Sequence, residues 1–278
     1  MIRLALTRYR RSRHFWTALI LAAIPLLGAS VFSLVFLLGS GFALSNPLAI
    51  EVPLLDLSID ESRMSDVVTS FQYIFKAAFL HFGVIFAALS FANSVIREES
   101  AEQTLHYLLL QPTRRWVIVI GKYIAFMLMA LPCFVISLVL VKFLLLLPFG
   151  GEGIGAFFSG ENISLTLKEI AVMLLAISSF TALFLGLSNI FKNPIVPLMI
   201  YGWEAAVSFL PAVLKQYSIT YYLKSMLPAA STGPASAIEF MAEGPSTLQT
   251  ILVLTLLPVV CVGITCWRAS RQECLYSD

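Results

Sequence analysis

Four ionisable residues interrupt otherwise apolar runs: Lys76, His81, Lys142 and Glu204. An imidazole, two amines and a carboxylate can relay protons, ligate a metal or pair with one another, and spacing decides which. A haem or metal site wants a second histidine at similar depth. The other two, His14 and His106, fall in segments that the charge pattern places in the cytosol. No metal or cofactor is therefore expected in this chain. Catalytic residues are not expected either, because serines, histidines and acids form neither a nucleophile elbow nor a carboxylate pair. Glycine-rich GGEGIGAF at 150–157 lacks the lysine of a phosphate-binding loop. Cys133, Cys261, Cys266 and Cys274 lie in or just after apolar segments, with neither a disulfide framework nor a CxxC metal pattern. Nucleic-acid binding has no support, since the placement of the basic residues is explained by membrane topology.

What remains is the cost of these residues at membrane depth, about 2.5–3.5 kcal/mol or more each. Lys76 and Lys142 fall near the outer ends of their spans and can snorkel or pair locally. Glu204 lies about ten residues into its span, roughly 15 Å deep, near the midplane. Such a carboxylate either keeps its charge beside a partner or takes up a proton. The expectation is a hydrogen-bonded glutamate facing the bundle or a subunit interface, with a transport role and a purely pinning role both open.

These residues are held by membrane helices. The chain has 278 residues, 59% hydrophobic and 12% charged, half the roughly 25% charge of a soluble domain; its mean hydropathy is +0.88. Segments of about 20 apolar residues mark spans. Six are expected, near 15–44, 73–96, 116–147, 167–190, 195–214 and 248–267. The first is too long for the apolar region of a signal peptide and reads as a retained span. An arm over 1–14 precedes them; Ile2, Ala5, Leu6 and Tyr9 share one helical face, as in a helix lying along the membrane interface. A tail, 268–278, follows.

Orientation comes from the basic residues. Arg3, Arg8, Arg10, Arg11 and Arg13 have no acid among them, whereas Glu51, Asp56, Asp60, Glu61 and Asp66 in the loop 46–70 face only Arg63. The positive-inside rule puts both termini in the cytosol, together with 97–122 and the tail residues Arg268 and Arg271. A multi-pass protein of the cell (inner, cytoplasmic) membrane is expected.

The segment 97–122, REESAEQTLHYLLLQPTRRWVIVIGK, is an unusual charged island in such a chain. Ala101, Leu105, Leu108 and Leu109 form one helical stripe, and Glu98, Glu99, Glu102, Gln103 and His106 fall largely off it. Pro112 ends the helix. Arg114 and Arg115 follow its basic end, complementing the helix dipole. The spacing predicts a short amphipathic helix over about 98–111.

The pattern of Glu99, Thr104, Leu105, Leu108, Leu109, Pro112, Arg115, Gly121 and Lys122 resembles the cytosolic segment of ABC-2-type transporter permeases, the membrane subunits of ATP-binding-cassette exporters. Pro194 and Pro197 at the fifth span, Trp203-Glu204 within it, and Pro211 with LKQYSITYYL at 214–223 are similar to one branch of that family. The resemblance implies an all-α integral membrane protein of type V exporter-like fold, with six transmembrane helices, an N-terminal interfacial helix and a coupling helix between helices 2 and 3. It implies that Glu98, Glu99, Glu102, Gln103, Thr104, Pro112, Arg114 and Arg115 contact a cytosolic ABC ATPase, present in two copies. ATP and Mg would bind there, and a second permease subunit would complete a homodimer or heterodimer. Such a permease couples hydrolysis by separate subunits to movement of a substrate across or out of the membrane. A secondary transporter or channel not driven by ATP, and a membrane scaffold without transport activity, are the alternatives. Glu204 is the intramembrane functional candidate.

Overall fold

Backbone polar groups in an apolar stretch have no water to bond, so such a chain closes its hydrogen bonds within helices. The computed structural model describes residues 20, 22–31, 71–72, 75–93, 115–191, 195–206, 212–227 and 245–271, and every element among them is helical. Helix α1 is Ala22–Val31. Helix α2 starts as a π-helix over Phe75–Val84 and continues as an α-helix over Ile85–Asn93. Helix α3, Arg115–Leu146, passes through a 3-10 turn at Leu147–Phe149 into α4, Gly150–Phe157. Then come α5 (Gly160–Ile190), α6 (Ile195–Ala206), α7 (Ala212–Lys215), α8 (Ile219–Ser225) and α9 (Thr247–Arg271).

Among the described residues, three helices are long and apolar enough to cross a membrane: Trp116–Phe157, Gly160–Ile190 and Thr247–Arg271. They overlie the third, fourth and sixth expected spans. Ala22–Val31 and Ala78–Ala92 are shorter apolar helices. The arm 1–14, the loop 46–70 and the island 98–111 lie outside the described residues.

The turn from α3 to α5 depends on glycine. Gly150 has φ +61°, a conformation that favours a residue without Cβ. A Cβ at Gly153 would collide with the Leu146 carbonyl oxygen. Ser159 then caps α5, accepting from the Asn162 N–H at 3.3 Å.

Helices α5 and α9 run parallel. Ser179 Oγ donates to the Leu254 carbonyl, Asn189 Nδ2 to that of Thr265, and Arg268 to that of Ile190, at sequence separations of 75, 76 and 78. A nearly constant offset is what two helices pointing the same way produce. Phenylalanines fill the space around them. Phe71, Phe75 and Phe79 form a ladder with centroid spacings of 6.4 and 6.0 Å, and Phe91 stacks on Phe126 at 4.2 Å.

The Ser179 bond has a specific cause. Pro258 sits inside α9 and has no N–H to return to the carbonyl four residues earlier, which is that of Leu254. Ser179, fully buried, supplies the missing donor at 3.2 Å. Ser179→Ala is expected to lower stability by about 1–3 kcal/mol, because it strands a buried carbonyl. In a Pro258→Ala background the same change should cost much less, which a double-mutant cycle by thermal unfolding in detergent measures.

Candidate functional site

Glu204 lies in the last turn of α6 and is 3% exposed. Its carboxylate accepts four hydrogen bonds. Ser218 Oγ and Thr220 Oγ1 each donate to Oε2 at 2.6 Å, the Thr220 N–H donates to Oε2 at 3.1 Å, and the Ile219 N–H donates to Oε1 at 3.1 Å. All four donors belong to the first turn of α8 or to Ser218, its N-cap. Short bonds to a carboxylate are the strong kind, and the start of a helix carries the positive end of its dipole. Burial of Glu204 is thus offset by donors rather than by a cation.

This contact also fixes the path of the chain. In an uninterrupted helix, residues 204 and 218 would stand about 21 Å apart. Instead they touch, so the chain reverses between α6 and α8. The 195–214 run, expected as one span, is helical over Ile195–Ala206 and again over Ala212–Lys215.

Lys142 takes the pairing route. Its Nζ donates to Thr166 Oγ1 at 2.8 Å and to Glu169 Oε2 at 3.1 Å, with the two charged side chains 2% and 3% exposed. The Phe71 ring centroid lies 5.2 Å away. The pair ties α3 to α5. The opposite ends of these helices share a rim with the end of α9. There Cys266 Sγ lies 3.8 Å from the Trp116 carbonyl, Arg268 reaches Ile190, and Arg271 sits 4.5 Å over the Trp267 ring.

Residues 5–273 match the family model described as ABC-2 family transporter protein. The chain belongs to that family. No curated protein and no solved structure matches it.

In this ABC-2 transporter protein, the residues singled out from sequence separate into two groups. Glu98, Glu99, Glu102, Gln103, Thr104, Pro112 and Arg114 lie outside the described residues, and Arg115 opens α3. The intramembrane residues form two clusters rather than one. Glu204 lies with Ser218 and Thr220, one turn from Tyr201, whose ring is 6.1 Å from His81. Lys142 is committed to Glu169. The expectation that Glu204 is held by hydrogen bonds matches the geometry found. Glu169 was not singled out, because it stands beside Lys168 at the expected entrance of a span. The signal was available: an antiparallel hairpin turning near 155 sets Lys142 opposite the start of α5. Among the described residues, no three His, Cys, Asp or Glu side chains gather where a metal would sit.

Two stability experiments follow from the clusters. Glu204→Gln keeps an acceptor for one side of the cage but turns an amide N–H toward a donor, costing about 1.5–3 kcal/mol; Glu204→Ala leaves all four donors unmatched and should cost more. Thermal unfolding of the purified transporter should rank wild type above Gln, and Gln above Ala. Lys142→Met alone strands Glu169 and should cost about 3–5 kcal/mol, whereas adding Glu169→Leu should recover most of that loss.

Proposed function

We propose that the chain is the permease subunit of an ATP-driven exporter. The cytosolic island 98–111 is its coupling helix. Two copies of a soluble ABC ATPase bind ATP and Mg, close on one another, and push through Glu98, Glu99, Glu102 and their neighbours. A second permease subunit, the same chain or a different one, completes the pathway across the cell membrane.

The observation that carries this reading is the family match over residues 5–273. It takes in the island along with the apolar helices. The rim supports the cytosolic placement of the island: Trp116, two residues beyond Arg114, meets Cys266 beside Arg268 and Arg271. Aromatic and basic side chains together are the usual furniture of a cytosolic membrane boundary. The long helices α3, α5 and α9 supply the membrane-spanning scaffold.

Affinity purification of the tagged chain from its own membranes is the test. A soluble ATPase bearing a phosphate-binding loop should co-purify with it. Glu99→Lys with Glu102→Lys should reduce the bound ATPase by about tenfold, as expected for disrupted charged contacts at an interface, with the permease yield unchanged. Leu105→Asp should instead reduce the permease yield, since this reading turns the leucine stripe toward the bundle. Full retention of the ATPase and of its substrate-stimulated activity in the charge-reversed variant overturns the coupling-helix assignment.

A further inference from the structure

Helix α9 is the least enclosed of the three long helices, and its last two turns are both cationic and aromatic. Trp267, Arg268 and Arg271 are all exposed. Arg268 donates to the Ile190 carbonyl at 3.4 Å, and the Arg271 guanidinium lies 4.5 Å over the Trp267 ring. Trp267 stands one turn before Arg271, so that guanidinium leans back toward the apolar part of the helix. Among the described residues, no carboxylate pairs with either arginine. A guanidinium has five N–H donors, and a single carbonyl does not exhaust them.

The same side of α9 is notched. Val259, Gly263, Trp267 and Arg271 are each four residues apart, so they form one continuous row along the helix surface. Val259, its neighbour Val260 and Trp267 are exposed. A Cβ at Gly263 would meet no heavy atom within 4 Å. The row therefore dips at Gly263, between two valines on one side and an indole on the other. It ends on a cation.

We propose that this row, with Arg268, binds an anionic phospholipid of the adjoining leaflet. The phosphate lies at Arg268 and Arg271, which are three residues apart and neighbours on the helix surface. The ester region rests on Trp267, whose amphipathic ring suits that depth, and an acyl chain follows the dip over Gly263. Two arginines without an acid select an anion. The anion is a lipid because the cationic end and the apolar notch are continuous on a helix long enough to cross the membrane. Through Arg268 the bound headgroup bridges the ends of α9 and α5. The leaflet is the cytosolic one on the topology proposed above, but binding itself needs no ATPase.

Native mass spectrometry of the purified chain, released from micelles with equimolar phosphatidylglycerol and phosphatidylcholine, tests it. Wild type should retain phosphatidylglycerol about fivefold over phosphatidylcholine, the worth of one arginine at an anionic lipid surface. Arg268→Gln with Arg271→Gln should abolish that preference, and the corresponding pair of lysine substitutions should keep it. Removing two cations elsewhere, with Lys168→Gln and Lys215→Gln, should leave it unchanged; an equal loss there means bulk charge and overturns the site. Gly263→Leu fills the notch and should lower retention of both lipids. Were the arginines only answering the helix ends, the double glutamine variant would unfold at a lower temperature yet keep the wild-type lipid ratio, and that result also overturns the proposal. So does equal retention of the two lipids by wild type. Displacement of the lipid by inorganic phosphate overturns the lipid and leaves a site for a free anion. ATPase co-purification with the double glutamine variant should be normal, so failure here and failure of the permease reading are told apart.

Discussion

Two parallel helices cannot be joined by a short turn. Helices α5 and α9 are parallel and bonded to each other along their length, so the chain must travel back to its starting level between them. Of the described elements, α6, α7 and α8 lie between them in the chain. An apolar medium makes any such break expensive, since each interruption exposes N–H and C=O groups that water cannot reach. Glu204 resolves the difficulty at the point of reversal. Its carboxylate takes up the free N–H groups at the start of α8 and two hydroxyls beside them.

The same rule of internal satisfaction recurs elsewhere with different parts. Ser179 serves the carbonyl that Pro258 leaves open. Lys142 and Glu169 neutralise one another across α3 and α5. Thr265 returns its hydroxyl to the Cys261 carbonyl one turn earlier, and its own carbonyl accepts from Asn189. Each of these polar residues is intelligible from the group it completes.

Much of the scaffold was legible in the sequence, because long apolar runs of helical length have few other solutions. The runs at 116–147, 167–190 and 248–267 correspond to α3, α5 and α9 for that reason. A hydrogen-bonded Glu204 was also legible, since desolvation demands partners and no cation lay near it along the chain. Chain direction was not. Hydropathy is the same whichever way a segment runs, so the reversal between Ala206 and Ser218 left no trace in the 195–214 pattern. Nor was the π-helix of Phe75–Val84 visible, because apolar side chains suit either helix type. Glu169 was hidden by its neighbour Lys168, which made the pair look like an ordinary charged helix entrance.

The separations of these contacts also set an order of biogenesis. Lys142 and Glu169 are 27 residues apart, so their neutralisation is available as soon as α5 has left the ribosome, and α3 and α5 can enter the lipid as one hairpin of balanced charge. The N–H groups that quench Glu204 emerge about one helix later. Leu254 emerges 75 residues after Ser179, so α9 is the last of these helices to find its place. Nascent chains fold from the N-terminal side as they are made. Until α9 has been made, the surface of α5 that will receive it has only lipid, or another membrane protein, to cover it.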